Sequence, residues 1–345
     1  MVTSVGIGVI GLGRMGKYHA LNVGRAIRHA KLVAVCDVNA DLAGSLANDF
    51  GGICKITNDV SELLEDRSIQ AVIIATPSNT HYELALAAIQ SNKAIFLEKP
   101  LASRIDEARV IVNMVKESDV LCQVGFMRRY DPYYLEAKSL IDSGEIGDPV
   151  FVKSMSRDPV APSKDYLESS GGIFVDVSIH DYDILRFLTR QEILSVQAVG
   201  AVVLTPECRE VGDVDLGISF LELSNGACGE IEAYRNAKYG YDIRAEILGT
   251  KGAMFIFSNA NYTGIALEGT SRVKWHKGFL ERFDQAYIAE IQDFVDCVIS
   301  DRPPRVTVED AFRAQLAAEA ATRSLSEGGR KITLDQQSSS ASTSL

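Results

Sequence analysis

Val5-Gly6-Ile7-Gly8-Val9-Ile10-Gly11-Leu12-Gly13-Arg14-Met15-Gly16 decides how this chain is read. Residues 5–10 are small or branched and apolar, which predicts a short buried strand. Glycines 11, 13 and 16 follow at once in GxGxxG spacing, and the stretch 15–28 predicts a helix. In such a turn Gly11 permits the tight bend, Gly13 lets backbone approach a pyrophosphate, and Gly16 lets the helix lie close on the strand. Unpaired N–H groups at the helix start then face the phosphates. The hexapeptide alone is a weak signal, because glycine is common. Here a second apolar run, Leu32-Val33-Ala34-Val35-Cys36, ends in Asp37, 21 residues beyond Gly16. A dinucleotide fold needs an acid at that place for the ribose. Asp37 would accept from both ribose hydroxyls and repel a 2′-phosphate, and no lysine or arginine stands at 38 or 39. The expected cofactor is NAD rather than NADP.

Outward from this unit, short apolar runs alternate with helical stretches: 71–75, 94–97 and 120–124 as strands, 81–91 and 105–118 as helices. That rhythm predicts an α/β N-terminal domain, a Rossmann doubly wound parallel sheet, over 1–125. Near residue 126 the pattern changes. Longer strands follow at 150–156, 196–203, 214–223, 227–234 and 242–248, with Asn225-Gly226 as a hairpin turn between two of them. Turn-joined strands predict an α+β domain with a large, mostly antiparallel open sheet over 126–332. It should include a helix at 173–189 and amphipathic helices at 281–299 and 308–326. Residues 333–345 read as a tail, serine-rich from 336 and disordered.

Composition narrows the function classes. With 46% hydrophobic and 23% charged residues the 345-residue chain is ordinary globular material. A net charge of −11 argues against a nucleic-acid partner. No apolar run approaches the roughly 20 residues of a membrane span. The six cysteines show no CxxC pair, so free thiols in a reducing cytoplasm are expected and no metal is implied.

Two further segments carry chemistry. Glu98-Lys99-Pro100 closes the strand 94–97, at the carboxyl-end position where open α/β sheets bind ligands. Asp176 and His180 lie four apart in the stretch 172–183, so on one helix they share a face. A carboxylate beside a histidine is a common acid/base pairing. Blander readings stand beside these: a strand-end lysine is usually a solvated charge, and an Asp at a helix start is usually a cap. An Asp/His pair could also hold a metal, but zinc needs further ligands and no second histidine lies nearby in sequence.

Together, GxGxxG, Ala75-Thr76-Pro77-Ser78-Asn79-Thr80-His81, Glu98-Lys99-Pro100 and the Asp176-x-x-x-His180 segment resemble the glucose–fructose oxidoreductase/inositol dehydrogenase (Gfo/Idh/MocA) family, to about residue 330. Gly125 to Pro132, Gly171 to Phe174 and Tyr239 to Asp242 look most like its inositol 2-dehydrogenases. The resemblance implies oxidation of a secondary hydroxyl of a cyclic polyol or sugar, with Lys99, Asp176 and His180 catalytic. His180 would take the hydroxyl proton, Lys99 would polarise the substrate oxygen, and Asp176 would bind an adjacent hydroxyl and tune His180. Cofactor contacts would come from Gly11, Leu12, Gly13, Arg14, Met15, Gly16, Asp37, Ala75, Thr76, Pro77, Asn79, His81, Glu98 and Lys99. Met127, Arg128, Asp158, Ser178, Tyr239 and Tyr241 would help line the polyol pocket. The family also implies a homo-oligomer, a tetramer or dimer, formed through the second domain's sheet.

Three alternatives stay open on sequence: a dehydrogenase of another sugar or anhydrosugar, a redox-neutral glycosidase that uses NAD transiently, and a non-catalytic NAD-binding sensor. Tyr134-x-x-x-Lys138 also matches the YxxxK of short-chain dehydrogenases, but it follows the first domain and reads as a coincidence on a helix surface.

Overall fold

Runs of branched apolar residues become strands that are buried on both faces. The computed structural model describes residues 4–39, 42, 44, 52, 54–257, 265–267, 270–272 and 275–335; the tail expected to be disordered from 336 lies outside them. The chain forms two units. One takes Met1–Asp131 and Gln285–Arg313, the other Pro132–Asp284 and Ala314–Leu345.

The first unit is a parallel six-stranded sheet in the order β3-β2-β1-β4-β5-β6, the doubly wound order of a dinucleotide fold. Its strands are β1 (Val5–Ile10), β2 (Ala30–Cys36), β3 (Lys55–Thr57), β4 (Ala71–Ile74), β5 (Ala94–Glu98) and β6 (Cys122–Gly125). Between them run α1 (Arg14–Arg25), α2 (Val60–Glu65), α3 (His81–Gln90) and α4 (Ile105–Glu117). The later segment 285–313 belongs here for a packing reason. Ile291, Phe294 and Val295, in α10 (Phe279–Ser300), join the same buried cluster as Val5, Ile7, Val9 and Phe96. An amphipathic pattern announces a buried stripe but not the sheet it meets.

The second unit is built on a seven-stranded sheet in the order β12-β11-β7-β10-β9-β8-β15. These are β7 (Pro149–Asp158), β8 (Ile193–Ala201), β9 (Leu216–Leu223), β10 (Cys228–Arg235), β11 (Asp242–Gly249), β12 (Ala253–Ile256) and β15 (Ile332–Thr333). Only β7 and β10 pair in parallel. A separate ribbon joins β13 (Ile265–Leu267) to β14 (Thr270–Arg272). Asn225-Gly226 makes the β9–β10 turn, with Gly226 at φ +84°. Its helices are α5 (Pro132–Asp142), α6 (Lys164–Ser169), α7 (Ile173–Asp176), α8 (Ile179–Thr189), α9 (Glu207–Glu210) and the end of α11 (Val308–Ser326).

Burial alternates along β9 and β10 with the strand period of two. On the inner face, Tyr182 of α8 meets Ser219 at 2.9 Å, and Asp181 accepts from Ser154 at 2.5 Å and Ser156 at 2.6 Å. These bonds satisfy a fully buried carboxylate and fix α8 on the sheet. The outer face carries ion pairs, Lys153–Glu230 and Arg157–Glu232.

One expectation is corrected. The helix expected at 173–189 is two helices, α7 and α8, broken at Val177-Ser178. Ser178 N–H reaches back to the Ile173 carbonyl at 3.2 Å, which closes the first helix, and the Ser178 carbonyl opens the second by accepting from Asp181 and Tyr182. Asp176 and His180 therefore do not share one face of a single helix.

Close packing holds α7 against β9. A β-carbon on Gly217 would lie 2.9 Å from two carbons of the Phe174 ring. Gly217→Ala is expected to cost about 1–3 kcal/mol through overpacking, read as a lowered urea midpoint; an unchanged midpoint would show that the contact yields freely.

Candidate active site

The glycine turn has the geometry its sequence implies. Gly11 sits at φ +87°, and a β-carbon there would be 2.7 Å from the Thr76 methyl and 2.8 Å from the Ala75 carbonyl oxygen. At Gly16 an added β-carbon would fall 1.8 Å from the Gly11 carbonyl oxygen, whereas Gly13 opens on free space. Helix α1 starts at Arg14 with no side-chain cap and no acid in its first turn. The N–H groups there are available to an anion, and Met15 and Gly16 lie in that turn. Asp37 follows β2. Its carboxylate accepts from the backbone N–H of Leu12 at 2.6 Å and of Asn39 at 2.8 Å, so Asp37 braces the glycine loop. An open Gly13 beside an uncapped helix start, with Asp37 fixed at the loop, fits the pyrophosphate and ribose of NAD.

The loops after β4 and β5 close on one another through His81. Its Nδ1 lies 2.8 Å from the Pro100 carbonyl and its Nε2 3.0 Å from that of Thr76. Burial lowers its pKa, although both carbonyls favour the charged ring. With both nitrogens committed, His81 positions the loops that carry Ala75, Thr76, Pro77 and Asn79 on one side and Lys99 on the other. Thr80 Oγ1 donates within the first loop, toward Thr76 Oγ1 at 2.7 Å and the Pro77 carbonyl at 2.8 Å.

Behind Lys99, Glu98 meets His19 of α1, Oε1 to Nε2 at 2.7 Å. Glu290 of α10 completes this cluster, the three donor atoms lying within 4.8 Å of one another. Neither Glu290 oxygen has a hydrogen-bond partner among the described residues. Burial first, and the neighbouring Glu98 second, push its pKa well above the ordinary 4.5. That raised pKa favours the protonated carboxyl at Glu290. Sequence reasoning missed both His19 and Glu290. The available signal was phase: Glu290 falls three residues after Tyr287 and four before Phe294, on the buried stripe of its helix.

Met127 and Arg128 are buried in a 3-10 turn, Met127–Tyr130, just after β6. Neighbouring bonds pin that turn: Arg129 pairs with Asp310 at 3.1 Å, and Tyr130 donates to Asp293 at 2.9 Å.

In the second unit, Asp176 ends α7. Its Oδ1 accepts from the Tyr166 hydroxyl at 2.9 Å and its Oδ2 from Arg235 at 3.0 Å. Its side chain nevertheless stays 15% exposed. His180 lies in the first turn of α8, and the Ser178 hydroxyl before it is buried with no partner among the described residues. Asp158 ends β7, its carbonyl accepting from Ala237 N–H at 2.7 Å. Tyr241 is buried, edge-on to Phe283. The Tyr239 hydroxyl accepts from Arg157 and donates to Asp242, and its ring meets Trp275. Tyr134 of the YxxxK match is fully buried within α5 rather than on a helix surface, while Lys138 pairs with Asp142. Arg235 and Tyr166, the partners of Asp176, were missed as well. Arg235 falls in phase with buried Ile231 and Ala233 on β10, which was a readable sign of an inward arginine.

Fold and loop geometry define an NAD-binding oxidoreductase of the Rossmann type. Residues 5–126 match the family described as "Oxidoreductase family, NAD-binding Rossmann fold", and residues 138–334 its "C-terminal alpha/beta domain". The chain belongs to this Gfo/Idh/MocA oxidoreductase family. It is similar to scyllo-inositol 2-dehydrogenase (NAD(+)) of Bacillus subtilis, 44% identical and covering 93% of this chain and 94% of that one. It is also similar to myo-inositol 2-dehydrogenase of Thermotoga maritima, at 38% identity over 96% and 98% of the two chains. The crystal structure of scyllo-inositol dehydrogenase from Lactobacillus casei with bound NAD(H) and scyllo-inositol superposes with a TM-score of 0.90, at 32% identity over 96% and 99% of the chains.

Two outcomes test this geometry. Asp37→Ala is expected to weaken NAD binding roughly 10-fold or more and to narrow discrimination against NADP, measured by fluorescence titration with each; unchanged NAD affinity would remove Asp37 from the cofactor site. For Glu290 the folded pKa is raised above the unfolded one, so the folded state binds more protons and stability falls as pH rises above about 4.5. Glu290→Gln should therefore stabilise the protein more at pH 8 than at pH 5 in urea titrations. An equal effect at both values would mean that Glu290 does not hold its proton.

Proposed function

We propose that this protein oxidises a secondary hydroxyl of an inositol, myo- or scyllo-inositol, to the ketone with NAD as acceptor. The observation that carries the reading is Asp176, a carboxylate held at both oxygens yet partly exposed, four residues before His180. A carboxylate so held suits the hydroxyls of a polyol, and the relatives named above supply the substrate class.

His180 takes the hydroxyl proton as general base, and the Lys99 ammonium stabilises the negative charge that develops on that oxygen. Asp176 accepts a hydrogen bond from an adjacent hydroxyl and supports His180. Bound NAD supplies the hydride acceptor, nicotinamide C4, so the sum is alcohol plus NAD⁺ giving ketone, NADH and a proton. Gly11 to Gly16 and Asp37 hold the dinucleotide, with Ala75, Thr76, Pro77, Asn79 and Glu98 beside it. Met127, Arg128, Asp158, Ser178, Tyr239 and Tyr241 are the further residues proposed to contact the polyol. Each hydroxyl that an epimer misplaces leaves a buried group unpaired, at roughly 1–3 kcal/mol, and this selects among epimers.

We further propose a cytoplasmic homotetramer. All six cysteines are free thiols, and among the described residues no helix is long and apolar enough to cross a membrane. Val199 and Phe220, about half exposed on one face of β8 and β9, offer an apolar surface for a second copy.

The test is NADH formation with myo-inositol, scyllo-inositol, glucose and levoglucosan. Turnover on an inositol supports the reading, and turnover on a sugar alone overturns the substrate. Sugar release without accumulating NADH would favour a redox-neutral glycosidase, and NAD binding without turnover a sensor. His180→Ala should lower turnover by roughly two to four orders of magnitude with NAD affinity unchanged; normal turnover in that variant would overturn the mechanism.

A further inference from the structure

We propose that Arg235 is the positioning residue of the substrate site: it and Tyr166 lock the Asp176 carboxylate in one orientation, so that Asp176 serves only as an acceptor for substrate hydroxyls. The proposal rests on the function proposed above, because it assigns the polyol-binding role to Asp176.

Arg235 is the last residue of β10, and its side chain is 1% exposed. Burying a guanidinium is costly unless it is fully paired. Here it is paired twice, through Nη2 to Asp176 Oδ2 at 3.0 Å and through Nη1 to Asp213 Oδ2 at 2.6 Å. Burial alone would lower the Arg235 pKa, but the two carboxylates outweigh it and the value is raised. Asp213 is anchored in turn. Its Oδ1 accepts from the backbone N–H of Ile173 at 3.0 Å, the first residue of the short helix that carries Asp176.

The backbone of Arg235 is fixed as well. Its N–H donates to the Asp215 carbonyl at 2.8 Å, and the Asp215 side chain accepts from the N–H groups of Val203, Leu204 and Thr205. Strand end, arginine, Asp213 and helix start thus form one braced unit, most exposed at Asp176.

A carboxylate offers about four acceptor positions. Tyr166 and Arg235 each take one, from opposite oxygens. An ionised carboxylate can only accept, and its two adjacent oxygens suit two donors on neighbouring carbons, as a vicinal diol presents them. Lysine could not reproduce this bracing, because one ammonium lacks the planar fork that reaches two carboxylates at once. With Asp176 kept as an ion-paired acceptor, removal of the substrate proton is left to His180.

The experiment is steady-state kinetics with NAD and the most active inositol, together with NAD binding measured separately. Arg235→Ala is expected to lower kcat/KM for the polyol about 10- to 100-fold, the effect of losing a charge-assisted hydrogen bond, with NAD affinity within about twofold of wild type. Guanidinium added at low millimolar concentration should recover part of the loss, which a merely structural defect would not allow. Arg235→Lys should recover less than half of it. Because Arg235→Ala removes the cation between Asp176 and Asp213 and can unfold the protein, Tyr166→Phe is the second variant. Tyr166 is 45% exposed, and its substitution should cost roughly 3- to 10-fold in kcat/KM, mainly through KM. Wild-type kcat/KM in Arg235→Ala, or in both Arg235→Lys and Tyr166→Phe, overturns the proposal while the polyol reading survives. Absence of wild-type turnover on any polyol overturns that reading instead.

Discussion

The Gly11 carbonyl oxygen occupies the space where any side chain on Gly16 would have to begin, 1.8 Å from an added β-carbon. That close approach of α1 to β1 is the constraint on which the first unit depends. It sets the helix start beside the strand end, leaves Gly13 open to a ligand, and brings Leu12 N–H within 2.6 Å of the Asp37 carboxylate. The acid proposed to read the ribose thus also bonds the glycine turn itself. The same helix carries His19 to Glu98, so the cofactor turn and the residue preceding Lys99 are tied by a single 2.7 Å contact.

The second unit solves a different problem, that of keeping charge under a sheet. Asp181, Asp213 and Arg235 are all buried or nearly so, and each is matched by specific donors or acceptors. Buried polar groups of this kind contribute little net stability but penalise alternative packings heavily, because every rearrangement strands a group without a partner. The result is a rigid frame beneath Asp176, which alone among these groups keeps a distinctly exposed edge. If Asp176 takes the polyol as proposed, such rigidity favours a substrate whose hydroxyls are themselves fixed on a ring.

Much of this was legible in the sequence. The alternation of apolar runs with helical stretches implies the parallel sheet, Asn225-Gly226 the hairpin, and the run 214–223 a strand, observed at Leu216–Leu223. The misses share a cause: they depend on which element meets which. The pattern around Phe294 marks a buried stripe, but nothing local says that it covers the parallel sheet. The spacing of Asp176 and His180 suits one continuous helix, and the break at Val177-Ser178 arises from a backbone bond from Ser178 to Ile173 that side-chain pattern does not encode. Arg235 was readable by phase with Ile231 and Ala233. Its two acidic partners come from segments about 20 and 60 residues earlier in the chain, and only the folded sheet brings them to it.

Hydride transfer from a polyol carbon to NAD leaves an isotopic record in the reduced cofactor. Scyllo-inositol deuterated at its ring carbons would be incubated with the protein and NAD, and the reduced cofactor analysed by mass spectrometry. The account requires one deuterium in each NADH formed, together with a slowed kcat/KM relative to unlabelled substrate. NADH carrying no deuterium, or label lost to solvent while no reduced cofactor accumulates, would contradict it.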